Sequence, residues 1–142
     1  MSRGPIWSLM DAQERRPARH LTATDVPTTP GVYAWYRGSG AIYAGRALGA
    51  GGLRGRVWTN HLATGLDLSR SSFRRNVCEH LGIAPTSVTR MRPSVMTSHQ
   101  VGEVNQWIRD CEVAWIRCGS GPEAKALERA LLNEAIPSLS KR

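Results

Sequence analysis

The chain has 142 residues, 41% of them hydrophobic, which suits one domain with one core. Lys and Arg number 19 against 11 Asp and Glu, a net charge of +8, which points to a polyanionic partner, nucleic acid ahead of an anionic membrane surface. No apolar run approaches the ~20 residues of a membrane span, and the first residues lack the apolar core of a secretory signal. The cysteines Cys78, Cys111 and Cys118 are spaced like neither a zinc site nor a disulfide framework, so buried free thiols in a reducing, cytoplasmic protein are expected.

Residues 1–28 are polar and mixed, ending in "DVPTTP", and read as an arm or short helix packed on the domain. A hairpin follows, with strands at about 31–37 and 41–45. "LRGRVWTNHLAT" (53–64) reads as a short helix despite Gly55. "SRSSFRRNVCEHLG" (69–82) is a better one, capped by Ser69, with Phe73, Val77 and Leu81 at helical spacing and Gly82 at its end. Pro85 and Pro93 make the next stretch irregular or extended. "QVGEVNQWIRD" predicts a helix through Val101, Val104 and Ile108, "CEVAWIRC" a strand, and "GPEAKALERALLNEAIP" the strongest helix, with Pro122 in its first turn and Pro137 closing it. The expectation is a small mixed α+β domain at 29–142, with a helical insertion at about 65–110.

In the hairpin, the triplets Gly31-Val32-Tyr33 and Tyr43-Ala44-Gly45 place a tyrosine beside a glycine in each strand. A three-residue loop, Gly38-Ser39-Gly40, pairs Trp35 with Tyr43 and Tyr33 with Gly45. Both tyrosines then share one face as diagonal neighbours, about 7–8 Å apart, with room at Gly45 for an approach to the Tyr33 ring. A two-residue loop sends them to opposite faces. The tyrosines are either plain cross-strand packers or part of a site.

On the last helix, Ala124, Leu127, Leu131, Leu132 and Ala135 fall on one side, and Glu128 lies inside their arc. A buried carboxylate is costly unless paired or bound to a metal. Glu128 is therefore a structural ion pair, an acid whose tip reaches solvent at the edge of the face, or a functional group.

Taken together, "GVY" (31–33), "YAG" (43–45), Arg46 just after the second triplet, Leu53 and Arg56 in "LRGR", and Glu128 and Pro137 in "ERALLNEAIPSLS" resemble the GIY-YIG nuclease family. The likeness covers about 31–64 and 111–140. Ser140 stands where the family has Asn. The family's His or Tyr one turn after the arginine falls here at Asn60, with His61 beside it and about 140° from Arg56 on an α-helix; unwinding near Gly55 or Asn60 would bring it to the site.

The resemblance implies a metal-dependent endonuclease acting on DNA, or RNA, with repair intermediates among its candidate substrates. Glu128 would hold Mg²⁺ or Mn²⁺, which acts as Lewis acid and leaving-group stabiliser. Arg56 would pair with the scissile phosphate, Tyr33 or Tyr43 would be the general base, and His61 would assist. Arg46 and Arg54 would bind substrate, and Arg70, Arg74 and Arg75 supply a basic helix face for the nucleic-acid backbone. The rival is a non-cleaving nucleic-acid-binding module of the same fold.

Overall fold

The computed structural model describes residues 4–140; Met1–Arg3 of the expected arm, and Lys141 and Arg142, lie outside the described residues. The protein is a mixed α+β domain built on a four-stranded antiparallel sheet of order β1-β4-β2-β3. Its strands are β1 (Arg16–Pro17), β2 (Gly31–Arg37), β3 (Gly40–Ala47) and β4 (Glu112–Arg117). The helices are α1 (Pro5–Asp11), α2 (Ser72–His80), α3 (Thr86–Thr89), α4 (Ser98–Arg109) and α5 (Gly121–Glu134), with a π-helix at Arg54–His61 between β3 and α2.

β2 lies between two layers, which is why "GVYAWY" is buried throughout. Successive side chains alternate between faces. Tyr33 and Trp35, with Tyr43 from β3, enter a core shared with Val57, Phe73, Val77, Val104 and Ile108. Val32, Ala34 and Tyr36, with Ala44, face Trp7, Met10 and Leu131 from α1 and α5. The N-terminal segment is thus part of the second layer. α1 has no side-chain cap of its own. Glu134 of α5 supplies one, accepting from the backbone N–H of Ile6 (2.9 Å) and Trp7 (3.0 Å).

The hairpin reaches the expected register by another route. Its loop is a two-residue turn at Gly38-Ser39, with Arg37 opposite Gly40 and Tyr36 opposite Ala41. A bulge then leaves Ile42 unpaired, after which Trp35 faces Tyr43 and Tyr33 faces Gly45. The extra residue reverses the face change that the shorter loop imposes, so both tyrosines share a face. The carbonyl of Ile42 accepts from the N–H of Leu139 (2.8 Å), and the N–H of Ala44 donates to Ser140 Oγ (2.9 Å). Residues 139–140 thereby run along the outer side of β3, held also by Asn76 Nδ2 donating to the Leu139 carbonyl (2.8 Å).

Three further expectations shift. The cap of α2 is Ser71, whose Oγ accepts from the N–H of Arg74, and not Ser69. The stretch after Pro85 is irregular except for the single turn of α3. The segment after β3 is π-helical, closed by the N–H of Leu62 donating to the carbonyl of Val57. The three cysteines are buried and unpaired, as expected. Among the described residues no helix is long and apolar enough to cross a membrane.

Candidate active site

Tyr33 is 1% exposed and Tyr43 7%. Their rings stand 6.4 Å apart at 29°, held on that face by the register just described. Gly45 is required here: a Cβ at this position would lie 2.4 Å from the Tyr33 hydroxyl oxygen, so the glycine gives the ring its place across the strand.

The π-helix brings in His61. Hydrogen-bonded partners in a π-helix are five residues apart, so His61 comes closer round the axis to Arg56 than an α-helix would set it; His61 points into the core while Arg56 stays exposed. His61 is buried, with Nε2 2.6 Å from the Tyr33 hydroxyl and Nδ1 2.6 Å from Ser71 Oγ. Burial, followed by the cations of Arg56, Arg74 and Arg75, lowers its pKa to about 3, so the ring is neutral at pH 7. Ser71 Oγ already accepts from the N–H of Arg74 at 3.1 Å. The neutral ring donates through one of these nitrogens and accepts at the other, so it links Ser71 to Tyr33 in either tautomer.

Burial, followed by the neighbouring Tyr43, pushes the Tyr33 pKa well above the usual phenol value. Tyr43 meets Ser72 Oγ. Burial raises the Tyr43 pKa too, opposed by the Ser72 hydrogen bond and by the charges of Arg56 and Arg75. The result is a hydrogen-bonded set of neutral groups, Ser71, His61 and Tyr33, with the Tyr43 ring stacked beside Tyr33. Tyr43 is the outer phenol and the one better placed to carry negative charge. The sequence missed Ser71 and Ser72; their only signal was their place at the start of a predicted helix.

Tyr43 lines a cleft of about 220 Å³ with Ser72, Arg75, Arg90, Glu128 and Ser140. Glu128 comes from the opposite layer and reaches this cleft around the edge strand β3. Its side chain is 15% exposed, and Oε1 accepts from Arg46 at 2.9 Å. Glu128 is therefore both a paired acid and a member of the cleft: its charge is felt by both phenols. Arg46 also borders a second hollow of about 460 Å³, lined by Arg56, Thr59 and Asn60, so the two hollows adjoin at the Arg46–Glu128 pair. Arg56 is exposed and forms no ion pair among the described residues.

The expected substrate arginines divide. Arg70 is exposed. Arg75 lines the cleft, its guanidinium donating to the Ser69 carbonyl. Arg54 uses its Nε on the Val26 carbonyl (2.9 Å), fastening the π-helix to the segment before β2. Arg74 departs from the expected basic face. It is 1% exposed and donates to the Gly65 carbonyl and Asn105 Oδ1, both at 2.9 Å, because the 62–71 loop and α4 cover that side of α2. Burial lowers its pKa to about 10, and it remains charged.

The donor set in the cleft is one carboxylate among hydroxyls and an amide: Glu128 with Tyr43, Ser72, Ser140 and Asn76. Such a set fits Mg²⁺ or Mn²⁺ kept mostly hydrated rather than an ion caged by protein. Among the described residues no three His, Cys, Asp or Glu side chains gather as a metal cluster. Compared with protein-family models, curated proteins and solved structures, the chain matches none.

Proposed function

We propose that the protein is a metal-dependent endonuclease of the GIY-YIG type, hydrolysing phosphodiesters in DNA. The observation that carries this reading is the meeting of Tyr43, backed by Tyr33 and His61, with Glu128 in one cleft flanked by arginines. A divalent cation held by Glu128 would supply positive charge for the leaving oxygen and offset the burial that keeps Tyr43 protonated.

The chain's own groups do the rest. Tyr43 acts from the phenolate form that Arg56 and Arg75 favour: the phenolate oxygen holds the attacking water and takes up its proton, becoming the phenol, while Ser72 fixes its direction. Arg56, unpaired and facing the adjoining hollow, meets the phosphoryl oxygens with a planar fork of donors. Tyr33 is too deeply buried to serve as base and acts as a positioning residue, with His61 and Ser71 behind it.

A second reading has its own observation. The Arg46–Glu128 ion pair occupies one carboxylate oxygen, as in a nucleic-acid-binding module that has given up turnover. One experiment separates the two: plasmid and flap-DNA cleavage in Mg²⁺ or Mn²⁺ by the wild type and by Glu128→Gln. Cleavage abolished in a folded Glu128→Gln that still binds DNA supports the nuclease. Binding without cleavage by the wild type supports the module, and undiminished cleavage by the variant refutes the assignment.

A further inference from the structure

Two residues past Arg56 on the π-helix, Trp58 is 36% exposed, and among the described residues its ring stacks on no other aromatic or cation. The indole thus presents a free flat face of large area beside a cavity, the geometry that ring stacking needs. It borders a hollow of about 560 Å³, within the range that holds a small organic ligand, with Leu21 and Leu62 in its lining and Arg19 and Arg109 among its cations. Arg19 is paired with Asp110, whereas Arg109 is exposed and has no ion pair among the described residues. Thr59 lines both this hollow and the one containing Arg56, so the two meet at that residue.

We propose that the Trp58 hollow is a nucleobase subsite: an unpaired base of the substrate strand stacks on the indole, and Arg109 meets the adjacent phosphate. This rests on the nucleic-acid reading above and names its substrate class, DNA with a single-stranded segment beside the scissile phosphate, such as a flap or a bubble. An aromatic face offers stacking to any base, while the cation tracks the backbone, which is the usual division of labour in single-strand binding. A base inside a duplex already has neighbours on both faces and cannot also lie on Trp58, so the hollow discriminates by pairing state, not by sequence. The net charge of +8 favours this polyanion over an apolar peptide or an uncharged ligand.

The test is fluorescence anisotropy with a labelled 15-mer oligothymidylate and with the same strand in duplex, in EDTA so that no cleavage intervenes. Trp58→Ala is expected to weaken single-strand binding about 5- to 150-fold with duplex affinity unchanged, and Trp58→Phe to keep most of the affinity. Equal losses on both DNAs, or no loss on either, overturn the subsite. In the unmutated protein, photo-crosslinking to an oligonucleotide carrying 5-iodouracil should label a peptide containing Trp58; labels confined to other peptides also overturn it. A wild type that binds neither DNA overturns both readings. A Glu128→Gln variant that still cuts removes the active-site assignment alone, and an unchanged Trp58→Ala affinity in a protein that does cut removes only the subsite.

Discussion

His61 gives the sharpest physical test of the buried chain of hydroxyls. Its pKa is about 3 in the folded protein against an ordinary 6.5, so the unfolded chain binds the extra proton first as pH falls. The folded value is depressed, and the sign follows: the contribution is intact above pH 6.5 and is lost progressively between 6.5 and about 3. Integrated from pH 6.5 to 4.5, one such group removes about 2 kcal/mol of stability, or a urea midpoint lowered by about 1 M for a domain of this size. The perturbation is His61→Gln, which keeps a polar side chain near Tyr33 and Ser71 but does not titrate. Urea unfolding at pH 7.5, 6.5, 5.5 and 4.5 would compare the two proteins. Asp25 and Asp67, whose pKa values are lowered mainly by hydrogen bonds from Thr22 and Ser69, are exposed and common to both, so their effects cancel. The variant starts less stable but should lose about 2 kcal/mol less than the wild type across this window. Equal losses would show that His61 is not held neutral in the interior and would undo its place between Ser71 and Tyr33.

The site's packing makes a related prediction. Gly45→Ala pushes a methyl into the Tyr33 hydroxyl and should cost about 1–3 kcal/mol as overpacking, whereas Gly102→Ala on α4, with open space around it, should raise stability by about 0.4–1 kcal/mol; thermal melts distinguish them. Because burial raises the Tyr43 pKa, a base role predicts cleavage that climbs with pH above 7, and Tyr43→Phe should lose both the activity and the climb in a pH–rate profile. Arg74→Ala removes a buried side chain together with its hydrogen bonds to the Gly65 carbonyl and Asn105 Oδ1 and should cost about 1–3 kcal/mol in the same melts. Arg70→Ala should leave the urea midpoint unchanged and lower the slope of log DNA affinity against log salt by about 1.

Much of this architecture was legible in the sequence. The apolar stripe of α5 and the single acid within it identified Glu128, because a helix has a fixed period and a buried charge stands out against it. The tyrosine register was also legible, although the loop that carries it is one residue shorter than the pairing alone suggests. The bulge at Ile42 compensates a shorter turn, and nothing in "GSGAIY" marks one residue as extra. His61 was placed far from Arg56 because an α-helical period was assumed, and hydrogen bonding five residues apart leaves little trace in a run of eight. Arg74 was misjudged for a different reason. A helical wheel sees one helix, while the loop and α4 that bury this side chain come from segments distant in sequence. Ser71 and Ser72 were invisible as site residues, since a serine that starts a helix reads the same whether or not a histidine or phenol rests on it.

The short run from Pro137 to Ser140 has a consequence for the solution behaviour of the whole domain. β3 is an outermost strand, and an uncovered outermost strand is a template on which another chain can add itself. Leu139 and Ser140 engage the backbone of Ile42 and Ala44, so the protein presents a plug where it would otherwise present a docking ledge. The plug lies beside the cleft that holds Tyr43 and Glu128. The same few residues thus cover this part of the strand edge and form one wall of the adjoining cleft.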